Sequence, residues 1–385
     1  MGHYSEYLDK KLNFDQISQE RKKQLETISR LRGNRDILVY ASDFSKNDAA
    51  IAIDYSDLLP FQDQLDNLRG KEIDIILETP GGIAEVVEDM VKLVRGKYEK
   101  VGIIIPGWSK SAGTIFAMAG DEILMGPMSG LGPIDAQVMM NNKRFSAEAF
   151  LKGLEKIKEE VLTTGKLNSA YIPILQNISP GEIQHCENAQ DFSKILVTNW
   201  LSEYKFKYWD KHSSTGADVT AEDKKKRAEE IAEQLCNHSD WLTHGRSIKI
   251  SDFNKMKLII EDFSLNTELN EAILRYYTLL RMSFETTIYK IYETTKSQIY
   301  RFSIPPGKDN PRENKNEIVE IKFECPKCKN ISTIQANLEK QSPLKNNNLP
   351  YPLNNSIFKC PHCGAESDIS KIKLEIEAQT GKNLV

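Results

Sequence analysis

No stretch of the sequence is apolar for long enough to cross a bilayer. The longest unbroken runs, such as Ile37 to Ala41, fall far short of the roughly 20 residues a spanning helix needs. The first residues carry charge from Glu6 onward and lack an apolar stretch, so no signal peptide is expected. Glu6 also stands where a myristoylation pattern needs Ser or Thr. An excess of one charge is missing too. The 51 Lys and Arg face 55 Asp and Glu, a net charge of −4, which excludes a global basic field for nucleic acid or anionic membrane. Cysteine is scarce, six in 385 residues, and four fall in two CxxC pairs. That argues against a disulfide framework and for a reducing compartment. With 40% hydrophobic and 28% charged residues the chain is not a disordered one, and its length implies two or three domains. The expectation is a soluble, cytoplasmic protein.

What is present reads as an alternation of strand and helix. Residues 4–32 are polar and heptad-tinged, a helical arm that stops at Gly33-Asn34. The short β-branched runs 37–41, 73–77, 101–105 and 122–125 read as buried, parallel strands. Between the second and third, Ile83, Val86, Val87, Met90, Val91 and Val94 recur at helical spacing. Residues 112–119 are small and apolar all round, a buried helix. The fold class expected is α/β. Helices are predicted over 145–162 and 217–237, and a long helix or helix pair over 266–302. The boundaries are a helical arm at 1–34, a core domain at 35–265, a helical extension at 266–303, a Pro/Gly-rich linker at 304–316 and a cysteine-bearing domain at 317–385.

Two motifs stand at the C-terminal ends of strands, where open α/β sheets place their ligands. The first is Glu78-Thr79-Pro80-Gly81-Gly82; the second runs from Pro106 through Ser109-Lys110-Ser111-Ala112-Gly113-Thr114. A Gly-Gly turn lets main-chain N–H groups approach a substrate without an intervening Cβ. A serine opening a buried helix sits at the positive end of its dipole, beside unpaired N–H donors. Together these can supply a nucleophile and oxyanion donors.

These motifs, with the later AGDEILMGPMSGLGPIDAQ and His244-Gly245-Arg246-Ser247-Ile248, resemble the Clp/crotonase-fold serine peptidases. More narrowly they are similar to the serine dehydrogenase proteinase family and its signal peptide peptidase A-like cousins, over roughly residues 30–265. The resemblance implies a Clp/crotonase-like spiral core and Ser111 as nucleophile, with Ser109 the alternative. It implies oxyanion donors at Gly82 and Ala112, and Gly81 shaping the turn. A Clp-type histidine shortly after the buried helix is absent, since no His lies between Ser111 and His185. Related Ser–Lys peptidases place a lysine on the following helix, where Lys152 stands between apolar neighbours. A lysine acts as base only when neutral, and burial can pull its pKa from about 10.4 towards 7 or 8. Lys152 is the expected base, with His244 and Lys143 as alternatives. Asp135 either orients the base or a substrate amine, or is a plain turn residue. Members of this fold stack into rings, so a homo-oligomer is expected.

The C-terminal segment holds Cys325-Pro-Lys-Cys328 and Cys360-Pro-His-Cys363, two knuckles that can aim four thiolates at one point. That set describes a structural zinc, with His362 a spacer. Alternation at 319–323 and at 372–376 suggests strands of a zinc ribbon, and 341–356 a floppy loop. Residues 315–385 hold ten Lys, eight acidic residues and no Arg, so protein recruitment is favoured over nucleic acid. The function expected is a serine endopeptidase acting on proteins or peptides, without a membrane. The alternatives are an idle scaffold and a crotonase-like acyl-thioester enzyme, although no basic cluster for coenzyme A phosphates lies near the motifs.

Overall fold

The computed structural model describes residues 2–46, 48–140, 143–212, 215–303, 318–345 and 347–385. Its contacts divide the chain into two compact units. One is Ser29–Asn270 with Tyr292–Ile299, and the other joins Met1–Ile28, Glu271–Ile291 and Tyr300–Val385.

The first unit is built on five parallel strands: β1 (Asp36–Ser42), β2 (Glu72–Glu78), β3 (Lys100–Ile105), β4 (Glu122–Met125) and β5 (Glu261–Asp262), side by side in that order. Register is fixed by pairs such as Leu38 with Ile75, Ile75 with Ile103, and Ile103 with Ile123. Ile75, Ile76, Leu77, Ile103, Ile104 and Ile105 are all fully buried, so both faces of the sheet are covered, as parallel sheets require. At the N-terminal end of the strands, Arg32 and Arg35 clasp the buried Asp74, with Arg35 Nη1 2.9 Å from Oδ1, and reach Glu122. The other end is left for the two motifs.

The helix Ala84–Arg95 buries Val86, Val87, Met90, Val91 and Val94, while Ile83 caps it and stays exposed. The helix Ala112–Ala117 is buried at every residue. A helical layer follows: Ala147–Thr164, Pro180–Trp200 and Ala221–Cys236. The 21-residue middle member escapes periodicity because its buried residues (Cys186, Ser193, Leu196, Val197, Thr198, Trp200) form no clean apolar stripe. Its start was legible: Ser179-Pro180-Gly181-Glu182 makes a capping box with Pro in the first turn.

In the second unit the arm is two helices, His3–Lys10 and Phe14–Leu31, and Tyr7 and Ile17 pack with Leu279 and Met282. The helix expected over 266–302 stops at Phe284; Ile288–Thr294 and Gln298–Phe302 are strands. Thr, Ile and Tyr at alternating positions favour a pleated chain, which outweighed the Tyr/Leu-rich texture. The residues read as a strand at 372–376 lie in a helix, Ser370–Thr380. Its buried Glu377 accepts N–H groups of Phe14 (3.1 Å) and Leu384 (3.1 Å), so the cysteine-bearing segment is packed against the arm. Residues 341–345 and 347–356 are tied down rather than floppy, with Lys345 N–H on Gln335 and Tyr351 donating to the Ile369 carbonyl. The linker at 304–316 lies outside the described residues. Among the described residues no helix is long and apolar enough to cross a membrane.

Candidate active site

The two motifs are zipped together by main chain. Thr79 N–H donates to Trp108 O (3.0 Å) and Lys110 N–H donates to Thr79 O (2.9 Å). Trp108–Ser109 then pairs with Gly130–Leu131, and Leu131 pairs with Ile248. Glycine is required where these segments meet. Gly81 has φ +97°, and a Cβ there would lie 2.7 Å from Ser111 Cβ and 3.1 Å from Ala112 N. At Gly82 (φ +155°) a Cβ would strike the main chain of Ile53, whose N–H and C=O bind Gly81 O (2.8 Å) and Ile83 N (3.0 Å).

Ser111 sits at the sharp turn from strand to buried helix with φ 50° and ψ −120°, a conformation L-residues rarely adopt. Such strain clusters at functional sites, and a nucleophile turn is one of its uses. The Ser111 hydroxyl and the N–H groups of Gly82 and Ala112 take no hydrogen-bond partner among the described residues. Ser109 is fully buried under the helix, where a Cβ on Gly113 would meet its Oγ at 2.3 Å. It cannot reach a substrate.

Ser111, Gly81, Gly82 and Ala112 open onto a cavity of about 800 Å³. Its walls include Ile115, Ile134, Ala136 and Val138, and one face of the helix Pro180–Trp200: His185, Asn188, Ala189, Phe192 and Ser193. Among the described residues, the charged or ionisable types lining it are Glu85 and His185, with no Lys or Arg. The sequence pointed to neither wall nor His185, because that helix went unread.

Asp135 stands between the cavity-lining Ile134 and Ala136 and is itself buried. Its Oδ1 is 2.7 Å from His244 Nδ1 and its Oδ2 is 2.9 Å from His238 Nδ1, with Gln137 donating at 2.8 Å. Burial alone would raise its pKa, but the two histidines outweigh burial and the net shift is downward. The carboxylate therefore persists at neutral pH. His244 Nε2, the other ring nitrogen, is buried without a partner among the described residues. His238 carried no sequence signal, since nothing local relates positions 135 and 238.

Lys152 is not in the cavity wall. Its side chain is 48% exposed and Nζ lies 2.5 Å from Glu148, 2.9 Å from Ser239 Oγ and 3.2 Å from Asn237 Oδ1. The burial expected of a neutral lysine is not there: its apolar neighbours Phe150 and Leu151 pack elsewhere, with Phe145, Val138 and Cys186. Yet Glu148 also accepts the His238 N–H, so Lys152, Asp135 and His244 share one polar network. Lys143 is exposed on the hairpin Gln137–Met140 and Lys143–Ser146.

In the cysteine-bearing segment the two knuckles have the same build. Cys325 accepts Lys329 N–H (2.9 Å) and Cys360 accepts Gly364 N–H (2.9 Å), with φ +61° at Lys329 and +70° at Gly364. Four Sγ atoms lie within 4.8 Å of one another, with Cys325–Cys363 at 3.6 Å and Cys328–Cys360 at 3.7 Å. A tetrahedral zinc with Zn–S near 2.3 Å sets sulfurs roughly 3.8 Å apart, so the residues fit that ion.

A parallel α/β sheet thus brings a strained serine to two glycines, and residues 66–222 match the family described as ClpP-like SDH-type serine proteinase. Two uncharacterized proteins of Methanocaldococcus jannaschii are 28% identical over 141 and 136 residues. These alignments take in 35% and 34% of this chain but 49% and 47% of those proteins, so the chain spans about half the length of each. Among solved structures, a serine-to-alanine mutant of the 1510-N membrane-bound stomatin-specific protease aligns at 16% identity. Its TM-score is 0.33, over 57% of this chain and 79% of that one. A lysine-to-alanine mutant of the same protease in complex with a substrate peptide aligns at 15% identity and TM-score 0.30, over 66% and 85%.

Proposed function

We propose that the chain is a serine endopeptidase that cleaves proteins or peptides through an acyl-enzyme on Ser111. The observation that carries this reading is the Ser111 turn: a strained serine on the cavity wall with two unpartnered N–H groups beside it. Ser111 Oγ attacks the substrate carbonyl, and Gly82 and Ala112 N–H groups hold the oxyanion. The serine proton passes to His244 Nε2, held in its tautomer by Asp135, and returns to the leaving amine. Water then frees the acyl group by the same route. His244, like Lys152, is not among the cavity-lining residues, so this reading requires it to reach Ser111 when substrate binds, as catalytic contacts often tighten only then. A cavity wall without Lys or Arg among the described residues disfavours a coenzyme A thioester substrate.

Lys152 as base is the second reading, favoured by its place in the Asp135 network. Substitution separates the two. Asp135→Asn should cost about 10²–10⁴ in kcat in the first case. Full activity in both Asp135→Asn and His244→Ala, with loss in Lys152→Ala, would transfer the role to the lysine.

The oxyanion donors have their own test. Gly81→Ala forces a Cβ against Ser111 at a φ that L-residues avoid, and should reduce kcat at least about 10²-fold with little change in KM. An equal fall confined to KM would mean that the turn only binds substrate.

The four-cysteine cluster is assigned to a structural zinc, and the ribbon around it to partner or substrate recruitment. Buried free Cys186 and Cys236 and this thiol set suit a reducing, cytoplasmic setting. A homo-oligomer completes the proposal.

A further inference from the structure

We infer that Lys110 is a positioning residue, whose ammonium ties the turn bearing His244 to the turn bearing Ser111 and so keeps base and nucleophile in register. This rests on the roles proposed above for those two residues.

Lys110 directly precedes the serine, and its main chain is locked at both ends. Its N–H donates to Thr79 O (2.9 Å) and its carbonyl accepts Gly113 N–H (2.8 Å). The side chain crosses Gly132, where a Cβ would fall 2.8 Å from Lys110 Cδ. Nζ then reaches three acceptors: Ser247 Oγ (2.8 Å), Leu131 O (3.1 Å) and Arg246 O (3.1 Å). An ammonium has three hydrogens, so the charged form is fully used in these contacts and is not itself free to act as base. Arg246 closes a turn onto Thr243, its N–H 3.2 Å from the Thr243 carbonyl, and His244 lies inside that turn. One end of the turn is held by Asp135 through His244, and the other by Lys110. Leu131 and Ile248 add two main-chain hydrogen bonds, and Lys249 grips the Met128 and Ser129 carbonyls (3.1 and 2.6 Å).

The surroundings of the ammonium are carbonyls and one hydroxyl. Lys249 is the charged group acting on it, and the Arg246 guanidinium lies over the Trp241 ring, 5.8 Å from its centre. Burial first, and Lys249 second, bring the Lys110 pKa down to about 8. Above that pH the amine keeps only two hydrogens for three acceptors, and the clamp loosens.

The test is the rate at which a fluorophosphonate labels Ser111 in the full chain, followed from about pH 6 to 10 in wild type, Lys110→Arg, Lys110→Met and Ser247→Ala. In wild type the rate should fall above about pH 8. Lys110→Arg, charged throughout, should keep the neutral rate and lose the alkaline fall. Lys110→Met should label about tenfold or more slowly at every pH, because small misplacements of reacting groups are costly. Ser247→Ala removes the shortest contact and should slow labelling less; with Lys110→Arg it decides the matter if Lys110→Met does not fold. Wild-type rates and profiles in the Lys110 and Ser247 variants would overturn the inference while leaving the Ser111 reading intact. Absence of any Ser111 adduct in wild type would instead remove that reading, and the inference with it.

Discussion

Ser111→Ala is expected to abolish peptide hydrolysis and fluorophosphonate labelling, a loss of about 10⁴-fold or more, because it removes the nucleophile from the strained turn beside the oxyanion donors. Ser109, the nearest in sequence, is sealed beneath the helix. The companion variant Ser111→Gly should be equally inactive but more stable. The native φ of 50° costs a serine about 1–3 kcal/mol, and glycine adopts that backbone freely. Against this stands the greater entropy that glycine loses on folding, about 0.5–1 kcal/mol. The net gain is about 1 kcal/mol, a rise in Tm of roughly 2–4 °C for a domain of this size. Ser111→Ala keeps the strain and should melt with wild type. Calorimetry of the three proteins gives the answer directly. Glycine no more stable than alanine would mean that the turn is not strained, and the serine would lose its strongest mark as a poised nucleophile.

The second large effect concerns the cysteines. Removing the zinc proposed for the four-cysteine cluster with a strong chelator, or replacing Cys360 by Ser, should unfold the segment around Ile318–Glu324 and Ile331–Asn337. Its apolar cluster is small, built on residues such as Ile334, Leu338, Tyr351 and Phe358, and a metal of this kind supplies about 10–16 kcal/mol to such modules. Hydrogen exchange across 318–385 should rise to that of an open chain while β1–β4 stay protected. Because Glu377 holds Phe14 and Leu384 N–H groups, exchange in the arm should rise as well. One equivalent of zinc per chain by elemental analysis, lost in Cys360→Ser, is the matching measurement. Protection unchanged after complete metal removal would sink the structural role.

The Ser111 turn was legible because it is local. Strand, glycines, serine and buried helix follow one another within short segments, and each residue type answers a steric need that a reader can state without coordinates. The knuckles were legible for the same reason, since two thiols three residues apart need only a tight turn between them. Where the sequence misled, the competing forces were not local. Residues 285–302 carry both aromatic content compatible with helix and the alternation of a hairpin, and only packing chose the hairpin. Lys152 shows the limit for a site residue. Its neighbours in sequence are apolar, but on a helix of 3.6 residues per turn Phe150 and Leu151 face another direction, and the lysine turns to Glu148 and solvent.

By itself, then, the chain's order of residues determined a parallel α/β core, a serine at a strained turn between Gly81-Gly82 and a buried helix, and a four-thiol cluster. Each follows from backbone sterics and side-chain period acting over a few residues. Tertiary structure alone decided which distant groups meet: His238 and His244 on Asp135, Lys110 on Ser247 and two carbonyls, and one face of the helix Pro180–Trp200 across the cavity from Ser111. Those meetings depend on the sum of many packing contacts between segments up to a hundred residues and more apart, and no local preference of the chain encodes them.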